Sequence, residues 1–212
     1  MEINGIIKYP IYNGRITKKE CKAMPPKFKF SKDEILQNAL DLVREEGTAA
    51  LTTRKLGKRL GTTQSPIFSA YENVEALQAD VKQAAKELFA SYVRRGLEDK
   101  PAFKGVSKQY ILFAKDEPNL FRWLFMSKDM IVDTKQYNPI ITDNYKTVYA
   151  AFRDTYSLND EETDKMYIHI GIYLHGLATL FAEQMCDYSI EQVGELMTEL
   201  GKSLLARIKQ YN

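Results

Sequence analysis

The chain has 212 residues, of which 44% are hydrophobic and 27% are charged. It can therefore bury a substantial core, and its length suits one small and one medium-sized domain. The formal net charge of +2 excludes a protein that coats nucleic acid through its overall charge. Cys21 and Cys186 match no metal or redox spacing, so we expect no disulfide framework and reduced thiols in the cytoplasm.

Residues 1–26 are predicted to form an N-terminal extension that is either disordered or not physiological, with Met24 as an alternative start. Residues 1–23 show no sustained helical periodicity and no apolar run long enough for a signal peptide. Lys27 and Lys29 then form a short basic lead before a first helix, which we expect to begin at Glu34.

Residues 51–71 predict two short helices joined by a tight glycine turn. Leu56 and Leu60 lie four residues apart and share one face of the first helix. Gly61 can adopt the left-handed conformation that ends a helix. The candidate caps are Thr52 or Thr53 for the first helix and Thr62 or Thr63 for the second.

The second of these helices is predicted to pack on the first and on the helix upstream. Pro66 falls in its first turn, where a missing N–H costs no hydrogen bond. Ile67 and Tyr71 lie four residues apart and so face the same side. Their expected partners in the upstream helix are Leu36, Leu40 and Val43.

The two short helices differ in charge. The first carries four basic residues, and no acidic residue occurs between Glu46 and Glu72. Such a basic patch suits a phosphate backbone, although four basic residues alone are more often a solvated helix face. The second helix has no charge, but its Gln64 can pair with adenine, and its serines can contact several base edges. The four basic residues are Arg54, Lys55, Lys58 and Arg59.

Residues 30–77 resemble the N-terminal domain of the TetR family of bacterial transcriptional regulators. The motifs that carry the resemblance are EILQNALDLVREEG, LTTRKLGKRLG, TTQSPIF and the entry into a fourth helix at residues 73–77. The resemblance implies an all-α protein, with a three-helix DNA-binding domain at 27–78 and a helical effector-binding and dimerisation domain at 79–212. It further implies a homodimeric repressor that binds a pseudo-palindromic duplex operator and is released by a small molecule.

The resemblance also assigns the DNA contacts. Phe68 replaces the family's usual Tyr, Ser69 and Ala70 replace its common Arg or His, and Val74 replaces its frequent Lys. Backbone contacts from the second helix should therefore be few, which shifts the electrostatic role to the first helix and the basic lead. The candidate DNA-binding residues are Lys27, Lys29, Thr53, Arg54, Lys58, Thr62, Thr63, Gln64, Ser65, Phe68 and Ser69.

Downstream of residue 73 the pattern is helical throughout. Asn73 is predicted to cap a long helix that runs to about Glu98 and joins the two domains. Pro101 and Pro118 are expected to start two shorter helices, and residues 127–138 to form a loop before a helix at 139–156. The apolar positions of the long helix are Leu77, Val81, Ala84, Leu88 and Val93.

Aromatic residues are concentrated in these middle helices, which suits a pocket for a flat or hydrophobic effector. The alternative is that they form ordinary core, and a histidine on an apolar helix is also more often a core residue. His175 and Gly176 further resemble a Trp-x-x-His-Gly signature of one family subtype, with Ile172 at the Trp position. The candidate ligand-binding residues are Phe89, Tyr92, Tyr110, Phe113, Trp123, Tyr149, Phe152, Tyr167 and His175.

The last two helices are predicted to form a dimer interface of four helices, two from each subunit. Residues 166–182 contain no Asp, Glu, Lys or Arg, so a helix there must be buried on both sides. A membrane span is disfavoured because the run is short and has a strongly charged flank. The candidate interface residues are Leu177, Phe181, Ile190, Val193, Met197, Leu200 and Leu204.

Two other functional classes are weaker. An enzyme is disfavoured because no HExxH, GxSxG, CxxC or phosphate-loop motif occurs. His169 and His175 lie six residues apart, which separates them by roughly 120° around a helix and disfavours a metal pair. We therefore expect no metal or cofactor. A dimer that binds DNA or a partner without ligand control remains the alternative.

Overall fold

The computed structural model describes residues 30–127 and 145–210 of the chain. Within these ranges the protein is all-helical, as the sequence predicts, with nine α-helices and no strand. A short 3-10 helix, Thr48–Ala50, connects the first two. The helices are α1 (Lys32–Glu46), α2 (Thr53–Arg59), α3 (Ser65–Ala70), α4 (Val74–Leu97), α5 (Ala102–Asp116), α6 (Pro118–Phe125), α7 (Tyr145–Tyr156), α8 (Asp160–Ala182) and α9 (Ile190–Gln210).

Several predictions fall outside these residues. They concern the extension at 1–26, the basic residues Lys27 and Lys29, nearly all of the loop at 127–138, and the first six residues of the helix predicted at 139–156.

Helix α1 begins two residues before the predicted start at Glu34, because Ser31 and Glu34 form a capping box. The Ser31 hydroxyl accepts from the Glu34 backbone N–H at 3.1 Å, and the Glu34 carboxylate accepts from the Ser31 N–H at 2.7 Å. These hydrogen bonds also lower the pKa of Glu34. Glu34 is thus the third residue of the first turn, where a carboxylate satisfies an otherwise unpaired N–H.

The turn between α2 and α3 forms around two glycines. Gly61 has a φ of +64°, the left-handed conformation predicted for it. Gly57 in α2 was not singled out from the sequence, yet a Cβ there would lie 3.1 Å from the Thr62 carbonyl oxygen. The turn can therefore fold back closely onto α2 only because Gly57 has no side chain.

The caps of the two short helices are Thr52 and Gln64. The Thr52 hydroxyl accepts from the Lys55 N–H at 3.2 Å. Helix α3 begins at Ser65, and the cap position is held by Gln64 rather than by Thr62 or Thr63. Thr63 still accepts from the Ser65 N–H, at 3.4 Å, whereas the Thr62 amide is bonded to the Gly57 carbonyl. Pro66 lies in the first turn, as predicted.

Helix α4 begins after Asn73, whose side chain accepts from the Ala76 N–H at 2.8 Å, as predicted. Its buried face differs slightly from the predicted one, because Ala84 and Leu88 are half-buried while Ala85 and Phe89 are fully buried. Adjacent positions are nearly equivalent in a 3.6-residue repeat, and the packing partner decides between them. Here that partner is α5, which forms with α4 the most extensive helix pair of the described chain.

The remaining helices surround α5, which contacts α4, α6, α7, α8 and α9. Pro101 precedes α5 as its cap, rather than lying in its first turn, whereas Pro118 is the first residue of α6. Helix α8 begins at Asp160, before the apolar run predicted at 166–182, because Asn159 and Glu162 form a second capping box. None of the described helices combines the length and apolar character needed to cross a bilayer.

Candidate nucleic-acid interface and helical-domain cavity

The four basic side chains of α2 fall into two pairs. Lys55 Nζ lies 2.7 Å from Glu46 Oε2, and both Nη atoms of Arg59 contact the carboxylate of Glu45, at 2.7 and 2.8 Å. Two of the four positive charges are thus paired with carboxylates at the end of α1. The hydrogen bonds from Arg59 lower the pKa of Glu45. The structure thus separates residues that the sequence places in one patch.

Arg54 and Lys58 form the second pair. Both are exposed, and neither has an ion pair among residues 30–127 and 145–210. They lie four residues apart on α2 and so project from the same side of the helix. Their two positive charges therefore remain available to an external anion.

Helix α3 presents an uncharged polar surface beside these cations. Ile67 is buried, with 1% of its surface exposed, and anchors the helix. On the opposite side Gln64, Ser65 and Ser69 are exposed, and 51% of Phe68 is exposed. The Ser69 hydroxyl donates to the Ser65 carbonyl oxygen at 2.9 Å. Toward an external group it can therefore act only as a hydrogen-bond acceptor.

One contact links the two helices through residues that were both predicted to bind DNA. The Thr53 hydroxyl donates to Gln64 Oε1 at 2.6 Å. The bond holds the amide of Gln64 at the start of α3 and leaves its NH₂ group directed away from Thr53. The sequence contains both residues but no signal for their contact, since they are eleven positions apart.

Four of the predicted ligand-binding aromatics, Phe89, Tyr92, Tyr110 and Phe113, pack against one another in the core. Phe89 lies at ring-centroid distances of 5.8 Å from Tyr110, 5.1 Å from Phe113 and 5.0 Å from Phe125. Tyr92 packs on Phe113 at 5.2 Å. Such tilted and edge-to-face pairs are typical of a close-packed aromatic cluster. These aromatic residues therefore pack against one another as part of the core.

His175 belongs to the same core. Its Nδ1 lies 3.0 Å from the Tyr110 hydroxyl, and its ring stacks on Phe121 at 5.8 Å. Burial lowers the pKa of His175 and so favours the neutral imidazole. The structure therefore places His175 as a hydrogen-bonded core histidine, which is one of the two interpretations that the sequence allows.

The other predicted ligand-binding residues lie elsewhere. Phe152 and Tyr167 border a void of only about 30 Å³. Tyr149 donates a hydrogen bond to Asp164 at 2.5 Å, and burial raises the pKa of its phenol. Trp123 is half-buried, with Lys82 Nζ 6.0 Å from its ring.

A larger cavity of about 330 Å³ lies where α5, α7, α8 and α9 meet. None of the nine predicted ligand-binding residues lines it, whereas Ile190, Val193 and Met197, predicted for the dimer interface, do. Three lysines, Lys100, Lys104 and Lys108, also border it. These three lysines are spaced four residues apart in the sequence. That spacing could have indicated a basic rim, which the pattern of aromatic residues does not show.

The predicted interface residues differ in exposure. Leu177, Phe181 and Val193 are at most 7% exposed within the protomer, and Ile190, Met197, Leu200 and Leu204 are half-buried. The apolar groups most available to a partner on α8 are Ile172 and Tyr173, at 57% and 37% exposed. Within a single protomer α8 is therefore buried on one side only, whereas the sequence predicts burial on both sides.

No family model matches the sequence. No curated protein matches it either. In the described parts of the chain, no group of three or more His, Cys, Asp or Glu side chains is arranged to hold a metal ion.

Proposed function

We propose that the chain is a DNA-binding transcriptional regulator of the TetR type. In this proposal it represses transcription as a cytoplasmic homodimer on a pseudo-palindromic operator, and a small apolar effector releases it. The observation that carries the proposal is the pairing of α2, which leaves Arg54 and Lys58 free of ion pairs among the described residues, with α3, which offers an exposed uncharged surface. Cations position a protein on the phosphate backbone, and neutral polar groups read bases.

In the proposed complex α3 enters the major groove and α2 crosses the backbone, as in other helix-turn-helix proteins. Gln64 donates its NH₂ group to a base edge while Thr53 fixes its amide. The exposed ring of Phe68 would contact a thymine methyl group in place of a phosphate. The free cations Arg54 and Lys58 then supply the sequence-independent part of the affinity.

Two copies are needed to read a pseudo-palindrome, with their α3 helices one helical turn apart. The exposed apolar residues Ile172 and Tyr173 on α8 favour dimerisation through this helix and α9. Effector binding would change the separation of the two α3 helices. A 100-fold loss of operator affinity requires about 2.7 kcal/mol of coupling, and the operator must weaken effector binding by the same factor.

The test is selection from a duplex library with a randomised centre, using the full-length protein. We expect recovery of one sequence with approximate two-fold symmetry, bound by two protomers. The double variant Arg54→Glu, Lys58→Glu should lose all duplex binding, while the matched variant Lys55→Glu, Arg59→Glu should lose less. Recovery of unselected sequences would contradict the proposal, and a compound screen that yields no ligand coupled to the operator would favour a regulator without ligand control.

A further inference from the structure

The cavity between α5 and α9 combines an apolar interior with a basic rim. Its volume of about 330 Å³ lies within the range of about 300–1,000 Å³ for small-molecule sites. We propose that it binds an amphipathic monoanion, a carboxylate carried on an apolar chain. This inference rests on the proposed function, because that ligand would be the effector of the regulator.

The interior is built from aliphatic and aromatic side chains of four helices. Phe103 and Val193 are less than a tenth exposed, so the walls belong to the core and are not a shallow surface depression. An apolar chain that entered would exchange water for these walls, which is favourable in proportion to the area buried. The wall residues are Phe103, Ile111, Tyr156, Ile170, Ile190, Val193 and Met197.

Three hydroxyl groups line the cavity, those of Ser107, Thr198 and Tyr156. Ser107 donates to the Phe103 carbonyl oxygen at 2.9 Å, and Thr198 donates to the Gly194 carbonyl oxygen at 2.7 Å. Both hydrogens are therefore used within their own helices. The Tyr156 phenol is a neutral donor at the cavity, and the charged donors at the rim are ammonium groups.

The rim carries an excess of positive charge. Lys100, Lys104 and Lys108 are exposed, have no ion pair within the described ranges, and are opposed in the lining by one acid, Asp99. The pKa of Glu191 is lowered chiefly by hydrogen bonds at the start of α9, and the positive charge of Lys108 lowers it further. Lys104, in the middle of the three, is therefore the best-placed partner for a carboxylate at the mouth.

The position of the cavity connects it to the DNA-binding helices. Helix α5 leaves the cavity and ends at Asp116, and the next residue, Glu117, forms an ion pair with Arg44 of α1. Fifteen residues of helix span about 22 Å. A ligand that separates α5 from α9 would thus displace a helix whose following residue, Glu117, is paired with Arg44 of α1.

The first test compares decanoate with decan-1-ol, which has the same chain length without the charge, by isothermal titration of the full-length protein. We expect decanoate to bind at least about tenfold more tightly, the difference typical of one charge-assisted contact. Lys104→Gln should remove that advantage and leave the affinity for decan-1-ol unchanged. Equal affinities for the two compounds, or no decanoate binding, would overturn the inference.

The second test fills the cavity. A Cβ on Gly194, which lines the cavity, would meet no atom within 4 Å, so a larger side chain can enter without moving the backbone. Gly194→Phe should abolish binding of both compounds, while Gly194→Ala should retain it and serve as the matched control. Unchanged decanoate binding by a folded Gly194→Phe protein, shown by a cooperative melt, would place the ligand elsewhere and overturn the inference.

These titrations contain no DNA, so they are independent of the proposed function. A protein that selects a palindromic duplex but does not bind decanoate would contradict only the ligand class. A protein that binds decanoate in a Lys104-dependent way but selects no duplex would support the site and contradict the regulator.

Discussion

The guanidinium of Arg44, in the last turn of α1, forms a two-point ion pair with the carboxylate of Glu117, between α5 and α6. Its Nε lies 2.8 Å from Oε2 and its Nη2 lies 2.5 Å from Oε1. Glu117 is only 6% exposed, and hydrogen bonding to it raises the pKa of Arg44. The pair joins α1 to the segment between α5 and α6, with the carboxylate buried and the guanidinium partly exposed.

Further polar contacts extend this pair across the protein. The Asn119 amide donates to the Arg44 carbonyl oxygen at 2.9 Å, and Arg122 donates to Asn119 Oδ1 at 3.0 Å. Arg122 also contacts Glu183 at 2.6 Å, just after the end of α8. A continuous path of hydrogen bonds therefore runs from α1 to the C-terminal end of α8.

We expect Arg44→Ala to destabilise the protein by about 1–3 kcal/mol, the cost of leaving a buried acceptor unpaired, which is less than for a fully buried ion pair because 42% of the Arg44 side chain is exposed. The buried carboxylate of Glu117 would be left without its partner. Urea denaturation measures the change. Lys165→Ala removes an exposed pair with Glu161 and should cause no measurable change, so equal effects of the two variants would show that Glu117 is not the cause.

The separation of the α2 cations predicts different salt responses. Lys58→Gln should lower the slope of log affinity against log salt concentration by about 1, because one phosphate contact is lost. Lys55→Gln should change the slope less, because Lys55 is already paired with Glu46. Fluorescence anisotropy on the selected duplex at several salt concentrations measures both slopes. Equal changes would mean that the Lys55 pair opens when DNA binds.

A third prediction concerns Thr53. If its hydroxyl orients Gln64, Thr53→Val should relax base preference at the same one or two positions as Gln64→Ala, but by less than the about 1–3 kcal/mol expected for losing a base contact. Repeating the duplex selection with each variant measures this. Relaxation at different positions would assign Thr53 a contact of its own.

Local features of the fold were predictable because they depend on neighbouring residues. The Asn73 cap, the left-handed Gly61 and Pro66 in a first turn each follow from the requirements of a helix end. The start of α1 was misplaced because Glu34 matches a helix interior equally well. Only the reciprocal bonds with Ser31 identify it as part of a cap.

The site was less predictable because it depends on which distant residues meet. An aromatic residue at helical spacing is the same in sequence whether it lines a cavity or fills a core, and Phe89 and Tyr110 fill one. The charge on Arg59 was visible, but its pairing with Glu45 requires the angle between α1 and α2. The cavity itself is assembled from four helices that are far apart in the chain.

Close packing of α4 on α5 gives a stability prediction. A Cβ on Gly96 would lie 2.6 Å from the backbone N and Cα of Val106, which cannot move as a flexible side chain can. Gly96→Ala should therefore destabilise the protein by about 1–3 kcal/mol. Gly194→Ala, in open space on α9, should stabilise it by up to about 1 kcal/mol, because alanine favours helix. Equal urea midpoints for Gly96→Ala and Gly194→Ala would contradict the close approach of α4 and α5.

The exposed apolar surface of α8 predicts the position of the dimer contact. Ile172→Asp places a charge on a side chain that is 57% exposed in one protomer, so the fold should survive while association weakens. Met126→Asp, at a side chain that is 41% exposed beyond the end of α6, is the matched control and should leave the dimer intact. Sedimentation velocity distinguishes the two, and an intact Ile172→Asp dimer would move the interface elsewhere.

The half-buried His175 predicts a dependence of stability on pH. Burial lowers the pKa of His175 below its ordinary value of 6.5, so in acid the unfolded chain binds a proton that the folded chain resists. The stability that neutral His175 contributes is complete above pH 6.5 and is lost as the pH falls below that value. His175→Gln should therefore reduce the slope of unfolding free energy against pH in this window. Urea denaturation of the wild-type protein and the variant across the window measures the two slopes, and an unchanged slope for His175→Gln would show that burial does not lower the pKa of His175.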